Sequence, residues 1–272
     1  MPASTVICVL GMHRSGTSTV TRVLDDLGVY LGPAHHLMKP RADNPVGFYE
    51  HQLLTDRNDE ILWELRGSWF NPPSMPEGWI EAPVLAPIRS RAVEVLAEDF
   101  GGRELVGWKD PRTCLTLPFW RPLLGSVRAV LVIRHPSDIA RSLQAREGFS
   151  LEASTQLWFA YMSAALRHTA DIPRLVVRYD DLLDDPDREV PRLARFVGCP
   201  DDSLLVPAAA AHAAEHSVLR HHRTADRGLP GFPSTTHAAS ALWEHLLLER
   251  ERQRAGAPGQ VGQGLPPEAS RG

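Results

Sequence analysis

The chain has 272 residues, 43% of them hydrophobic and 23% charged, so it can bury the core of one large or two small globular domains. Its net charge of −4 gives no electrostatic reason to expect nucleic acid or an anionic membrane as a partner. No apolar run approaches the ~20 residues of a membrane span, and no basic signal-peptide region is present. The widely spaced Cys8, Cys114 and Cys199 suit reduced thiols, so we expect a cytoplasmic protein.

The first predicted element is a buried strand over Val6–Leu10, a run too short for a helix and rich in β-branched residues. Gly11 ends this strand, a short loop follows, and apolar residues at helical spacing predict a helix from Thr17. A strand, a glycine-bounded loop and a helix N-terminus direct backbone N–H groups at an anion. Arg14 adds a positive charge inside the loop, which is therefore expected to bind a phosphate.

The loop departs from the Walker A pattern, because Thr17 stands where G-x-x-x-x-G-K-[ST] has lysine. A nucleoside-triphosphate enzyme without this lysine loses its point charge on the terminal phosphates. On the loop alone, a tight turn that binds nothing also remains open.

Irregular segments and two helices are predicted over the next part of the chain. The segment Asn44–Glu50 leads into a helix over His51–Leu65, and another helix is predicted over Ile88–Phe100. Between them lies Gly67–Pro87, which is rich in proline and aromatic residues. Such long irregular segments are usually functional or mobile, and this one can contact a substrate or pack on its own core as a lid.

Three more apolar strands are predicted, each followed by polar residues. These strands are Leu105–Trp108, Ala129–Ile133 and Leu175–Val177, and helices are predicted after Asp138, over Glu152–Thr169 and after Pro186. Strands that alternate with helices predict a single α/β domain: a P-loop-type parallel sheet with helices on both faces. Ligands bind at the carboxyl ends of strands in such sheets, so Arg14, Lys109, Arg134 and Tyr179 are expected to converge.

The pattern beyond Cys199 is weaker. Helices are predicted over Pro207–Ser217 and Leu242–Leu248, and the basic run Arg220–Arg223 can close over a ligand or form a solvated face. From residue 250 the glycine, proline and glutamine content predicts disorder. We therefore assign residues 1–249 to the domain and residues 250–272 to a disordered tail.

Only two of the 29 basic residues, Lys39 and Lys109, are lysine. In such an arginine-biased chain, a lysine that is retained is a candidate for a role that arginine cannot fill. A compact proton donor of tunable pKa is one such role.

Four motifs, GMHRSGTS, KDPR, VIRHPSDIARSL and VRYDDLLDDP, follow one another along the chain in an order that resembles the sulfotransferase superfamily. The resemblance covers about Val6 to Leu205, and the R-S-G-T form is similar to that of tyrosylprotein and bacterial carbohydrate-type members. It implies in-line transfer of a sulfonate group from 3′-phosphoadenosine 5′-phosphosulfate (PAPS) to a hydroxyl acceptor. The acceptor class (small molecule, carbohydrate, lipid headgroup, phenol or peptide tyrosine) and the oligomeric state stay open.

The resemblance also implies roles for individual residues. Lys109 matches the K-D-P lysine, which lies by the transferring sulfonyl group in the family. Tyr179 matches a residue that contacts the adenosine. Arg134 and Ser142 match the pair that binds the 3′-phosphate. In the family, the 5′-phosphosulfate is bound by the loop that matches Arg14, Ser15, Gly16, Thr17 and Ser18. Arg14 and Lys109 would meet the charge that develops on the leaving phosphate, so no metal is expected.

The acceptor hydroxyl needs a general base. Glu50 is the candidate by similarity to the tyrosylprotein enzymes, although its spacing from Arg14 is longer here. Cytosolic members use a histidine instead, which keeps His35, His36 and His51 open as alternatives.

Two other functions are alternatives to sulfonate transfer. A metal-dependent P-loop kinase would use Asp110 to hold Mg²⁺, but the Walker lysine is missing. A non-catalytic nucleotide-binding module would act through its aromatic segment, but Lys109 and a candidate base favour an enzyme.

Overall fold

The computed structural model describes residues 5–40, 47–200, 202–215 and 235–256. A parallel sheet forms its centre, with the strand order β2-β1-β3-β4. The strands are β1 Thr5–Leu10, β2 Leu105–Lys109, β3 Ser126–Ile133 and β4 Arg174–Arg178. Because all strands run the same way, the residues that follow them meet at one edge of the sheet.

Helices connect the strands and cover both faces of the sheet. In the described parts of the chain the α-helices are α1 Thr17–Asp26, α2 Gln52–Glu64, α3 Ala86–Phe100, α4 Thr113–Trp120, α5 Pro136–Glu147, α6 Leu151–His168, α7 Tyr179–Asp184, α8 Pro186–Val197, α9 Leu205–Glu215 and α10 Thr235–Arg254. None of these helices combines the length and the apolar character that a membrane crossing requires. The predicted single α/β domain with helices on both faces is confirmed.

Each strand buries side chains on both of its faces, because successive residues point to opposite sides of a sheet. Val6, Cys8 and Leu10 of β1 pack against a layer built from α2 to α6 and α10. Ile7 and Val9 pack against a second layer that contains α1, α8 and α9. This two-sided burial explains why the strands are continuous apolar runs rather than alternating ones.

Two helices have no counterpart in the sequence-based prediction. Helix α4 reads T-C-L-T-L-P-F-W, which is apolar almost all round and contains Pro118, so no amphipathic period marks it. Helix α7 is 6 residues long and begins directly where β4 ends. The sequence therefore shows no helical period over either segment.

The predicted start of the tail at residue 250 is wrong in position, because α10 continues to Arg254. Ion pairs hold this end of the helix: Arg250 contacts Asp181, and Arg254 Nε lies 2.8 Å from Glu189 Oε1. The disorder expected for the tail remains a prediction, because residues 257–272 lie outside the described part of the chain.

Candidate active site

The loop between β1 and α1 has a backbone that few residue types can adopt. A Cβ on Gly11 would lie 2.6 Å from the carbonyl oxygen of Val132. Arg14 and Gly16 both have left-handed backbones, with φ of 71° and 90°. Gly16 is also the N-cap of α1 and offers no side-chain cap to the first-turn N–H groups. The loop therefore presents these donors in the geometry that suits an anion.

Arg14 connects this loop to the carboxyl end of β3. Its Nε donates to Ser142 Oγ at 2.9 Å, and its carbonyl oxygen accepts from Arg134 Nη1 at 3.2 Å. Both Arg134 and Ser142 are buried. Two sets of residues, predicted to bind opposite ends of a nucleotide, are thus in direct contact.

Tyr179, the first residue after β4, rests on the same loop. A Cβ added to Gly16 would lie 2.0 Å from Tyr179 Cδ2, so the ring packs directly on the glycine. The guanidinium of Arg134 lies 5.3 Å from the centroid of the ring, within the range of a cation–π contact. The predicted convergence of Arg14, Arg134 and Tyr179 is therefore observed.

A second polar cluster lies at the end of β2. Lys109 Nζ contacts Glu50 Oε1 and donates to Ser18 Oγ at 3.1 Å, which brings this cluster to the edge of the loop. Lys109 is 2% exposed and Glu50 is 7% exposed. Burial lowers the pKa of Lys109 and raises the pKa of Glu50, while the opposite charge of each residue counteracts the shift of the other.

Glu50 reaches Lys109 because backbone contacts fix its segment. Its carbonyl oxygen accepts from the N–H of Met38 at 2.8 Å, and His51 forms an antiparallel bridge with Leu37. Glu50 Oε2 is buried and has no hydrogen-bond partner within the described ranges. One carboxylate oxygen is therefore held by Lys109, while the other can accept a proton.

Asp110 braces the turn that follows β2. Its Oδ1 accepts from the backbone N–H and the Nη1 of Arg112, both at 3.0 Å, and its Oδ2 accepts from Asn58 Nδ2 at 2.8 Å. Asn58 Oδ1 accepts in turn from Thr116 and Trp120. Both carboxylate oxygens thus belong to a buried hydrogen-bond network, which does not suit the Mg²⁺ ligand that a kinase would need.

The histidines considered as bases make their described contacts elsewhere. His36 Nδ1 and His51 Nε2 lie 2.7 and 2.9 Å from Asp99 Oδ2. The ring of His35 lies 4.2 Å from that of His36. Among the candidate bases, Glu50 is the one that contacts Lys109. The basic run Arg220–Arg223 lies outside the residues that the structure describes.

A further residue of the site, which the sequence did not single out, is His13, which precedes Arg14 in the loop. Its ring centroid lies 4.6 Å from that of Trp69 and 5.9 Å from that of Tyr161. Burial is the main reason that the pKa of His13 lies well below its usual value, and the positive charge of Arg112 lowers it further. Its Nε2 is buried without a hydrogen-bond partner in the described structure. A neutral imidazole thus lies at the edge of the site, and its place within the loop motif was the only signal for it.

Trp69 forms an aromatic cluster with Phe70 and Phe149. The Trp69 ring lies 5.6 Å from Phe70 and 5.8 Å from Phe149, measured between centroids. Its carbonyl oxygen accepts from the hydroxyl of Tyr161 at 2.7 Å, which fixes the segment to α6. Phe70 is 56% exposed. The irregular segment therefore packs on the core at its inner end and presents aromatic surface to solvent at its outer end.

Solved structures of known function share this architecture. The sulfotransferase domain of the olefin synthase from Synechococcus PCC 7002 is similar with a TM-score of 0.54 at 18% identity, covering 89% of this chain and 95% of that domain. Sulfotransferase STF9 from Mycobacterium avium gives a TM-score of 0.51 at 14% identity, covering 91% of this chain and 77% of that protein. At such low identities these likenesses show the fold alone.

The sequence comparisons give a more specific result. No curated protein sequence matches the chain. A model of the sulfotransferase family matches residues 7–203, a range that contains the loop, Glu50, Lys109, Arg134 and Tyr179. Because this match spans well over half of the chain, the protein belongs to the sulfotransferase family, as its four motifs predicted.

Proposed function

We propose that the protein transfers a sulfonate group from PAPS to the hydroxyl group of an acceptor. One observation carries the proposal: the buried Lys109–Glu50 pair lies beside the anion-binding loop, with Lys109 Nζ 3.1 Å from Ser18 Oγ. Transfer of an anionic group to a hydroxyl needs a positive charge where the leaving group departs and a base where the acceptor attacks. The pair supplies both.

The residues around the loop suit a donor with anionic groups at both ends. The first-turn N–H groups of α1 and the hydroxyl of Ser18 would hold the 5′-phosphosulfate, and Arg134 and Ser142 would hold the 3′-phosphate. Tyr179 would contact the adenosine. Ser15 Oγ is buried with no hydrogen-bond partner among the residues described, and an anion in the loop would satisfy it. The site therefore fits the proposed donor.

In the proposed step, the acceptor oxygen bonds to sulfur as the acceptor proton moves to Glu50 Oε2. The bond between sulfur and the bridging oxygen breaks in line, and its electron pair stays with the departing phosphate. Lys109 would turn from Glu50 to that oxygen and stabilise or protonate it. Burial lowers the pKa of Lys109, which makes this proton easier to give up.

Phosphoryl transfer is a weaker alternative. The loop has Thr17 in place of the lysine that contacts the terminal phosphates of a nucleoside triphosphate. Asp110 Oδ2 accepts a hydrogen bond from Asn58, and Asp110 Oδ1 accepts one from Arg112. Arg14 and Lys109 would supply the positive charge that Mg²⁺ supplies to the leaving phosphate in a kinase.

The test is a transfer assay with sulfur-labelled PAPS over acceptor classes: sugars, lipid headgroups, phenols and tyrosine peptides. We expect label on one class, and the transfer should continue in EDTA. A parallel assay uses ATP labelled in its γ-phosphate. Phosphate transfer that EDTA abolishes and Mg²⁺ restores would establish the kinase instead. Binding of 3′-phosphoadenosine 5′-phosphate without transfer to any class would indicate a non-catalytic module.

A further inference from the structure

A second group of ionisable side chains lies between the segment that carries Glu50 and helix α3. His36 Nδ1 lies 2.7 Å from Asp99 Oδ2, and His51 Nε2 lies 2.9 Å from the same oxygen. One ligand atom from each residue can be chosen so that all lie within 4.8 Å of one another. We propose that His36, His51 and Asp99 form a binding site for a divalent transition-metal ion, and that Zn²⁺ suits it best.

The donor set determines the choice of ion. Two imidazole nitrogens and one carboxylate oxygen are a common ligand set of zinc sites that keep a fourth position for water. Mg²⁺ and Ca²⁺ prefer oxygen ligands, so this set favours a first-row transition metal over them. Metal–ligand bonds of about 2.1 Å in a tetrahedron separate the ligand atoms by about 3.4 Å. The two nitrogens lie 2.7 and 2.9 Å from Asp99 Oδ2, so each would move about 0.5–0.7 Å away from that oxygen to reach this spacing.

The burial of the three side chains suits a site with access from solvent. His51 has a side-chain exposure of 0%, Asp99 of 11% and His36 of 28%. His51 is therefore fixed in the core. His36 is partly exposed, so an ion and a water ligand can reach the site from its side. The ring of His35 lies against His36 at this open side, 4.2 Å away between centroids.

The same contacts would also arise if two neutral histidines each donated a hydrogen bond to one carboxylate. The two rings come from separate segments, yet both nitrogens contact Oδ2 instead of dividing the two carboxylate oxygens between them. One atom from each of the three residues therefore lies close enough to the others for all three to contact one ion. Zinc binding distinguishes the two arrangements, because only one of them includes an ion.

The ion would stabilise the segment that ends in Glu50. His36 ends a short 3₁₀ helix over Ala34–His36, His51 immediately precedes α2, and Asp99 lies in the last turn of α3. A shared ion would join both ends of the segment 36–51 to α3. An ion that binds the folded chain raises its stability by mass action. This role does not depend on the proposed sulfonate transfer.

The test uses the full chain without an affinity tag, stripped of metal by a chelator and titrated with ZnCl₂ in a calorimeter. We expect one zinc ion per chain, a higher melting temperature with zinc, and visible d–d absorption when Co²⁺ replaces it. His36→Ala and Asp99→Asn should each weaken zinc binding by about tenfold or more and remove the thermal shift. His36 is partly exposed, so its replacement preserves the fold better than replacement of the buried His51.

Two controls separate this site from other histidines. His212→Ala removes a histidine whose Nδ1 lies 2.9 Å from Asp26 Oδ2, a comparable pair that is not part of any three-ligand group found in the described residues. Joint replacement of His216, His221 and His222 removes the histidines of the segment outside the described structure. Both controls should keep the full zinc affinity. Absence of zinc binding, binding unchanged in His36→Ala and Asp99→Asn, or binding lost in the joint replacement would overturn the proposal.

Discussion

Arg14 Nε donates a hydrogen bond to Ser142 Oγ across 128 residues of sequence. Arg14 belongs to the loop after β1, and Ser142 belongs to α5, which follows β3. The resemblance of the motifs to sulfotransferases predicts that these residues bind opposite ends of the nucleotide. Because the two residues are hydrogen-bonded, we expect that binding of one end of the donor also orders the residues that bind its other end.

The first prediction concerns the nucleotide. 3′-Phosphoadenosine 5′-phosphate should bind far more tightly than AMP or ATP, because a hydrogen bond to a charged group contributes about 1.5–3 kcal/mol. Arg134→Ala should weaken binding of the 3′-phosphorylated nucleotide much more than binding of AMP. Isothermal titration calorimetry measures both affinities.

The control for this comparison is Arg141→Ala, which replaces an exposed arginine next to Ser142. It should leave the ratio of the two affinities unchanged. Equal affinity of the wild-type protein for ATP and the 3′-phosphorylated nucleotide would contradict the assignment of Arg134 and Ser142.

A second prediction compares two glycines with similar backbones. Gly16 has φ 90° and Gly148 has φ 75°, so alanine at either position forces a left-handed conformation that costs about 1 kcal/mol. The new Cβ meets Tyr179 at 2.0 Å at Gly16 but nothing within 4 Å at Gly148. Gly16→Ala should therefore lower the melting temperature further and abolish nucleotide binding, whereas Gly148→Ala should retain binding. Equal effects of the two changes would mean that Tyr179 does not rest on the loop as described.

The part of the site that the sequence predicted well is the part that the sheet itself creates. Arg14, Arg134 and Tyr179 follow apolar strands and Lys109 ends one, and parallel pairing brings the ends of such strands together. Local patterns therefore contained enough information to expect their convergence.

Glu50 and His13 depend on contacts that no local pattern encodes. Glu50 reaches Lys109 through the bridge between Leu37 and His51, a tertiary contact. His13 is buried because Trp69, in an irregular segment with no helical or strand period, packs against it. Periodicity describes which face of an element is buried, but not which loop covers a site.

The third prediction concerns Lys109. Its bond to the leaving oxygen would form fully only in the transition state, so Lys109→Ala should lower kcat much more than donor affinity. Lys109→Arg should rescue little, because a guanidinium is bulkier and does not release its proton at neutral pH. Steady-state kinetics and calorimetry with 3′-phosphoadenosine 5′-phosphate separate the two effects. Lys39→Ala is the matched control, since Lys39 is the other lysine and is exposed. A loss of donor affinity as large as the loss of kcat would reject the transition-state role.

The fourth prediction is a pH dependence. Burial lowers the pKa of Lys109, and the proposed step needs its ammonium form. The rate should therefore fall as the pH rises through this pKa, at a lower pH than an ordinary lysine would give. Because arginine keeps its charge throughout that range, the residual activity of Lys109→Arg should lack this alkaline decline. A pH profile of kcat checks the expectation, and an unchanged decline in Lys109→Arg would assign it to another group.

The fifth prediction concerns Glu50 as the general base. A base contributes about 10²–10⁴-fold when the acceptor holds its proton tightly, and much less when the acceptor ionises without help. Glu50→Gln should therefore reduce the rate on alcohols of high pKa far more than the rate on acidic phenols. Rates measured over a series of acceptors of increasing pKa give this dependence as a slope. Glu64→Gln, at an exposed glutamate on α2, should leave the slope unchanged. If Glu50→Gln keeps full activity on every acceptor while His13→Ala, His36→Ala or His51→Ala abolishes it, a histidine is the base, and Glu50 serves only to position Lys109.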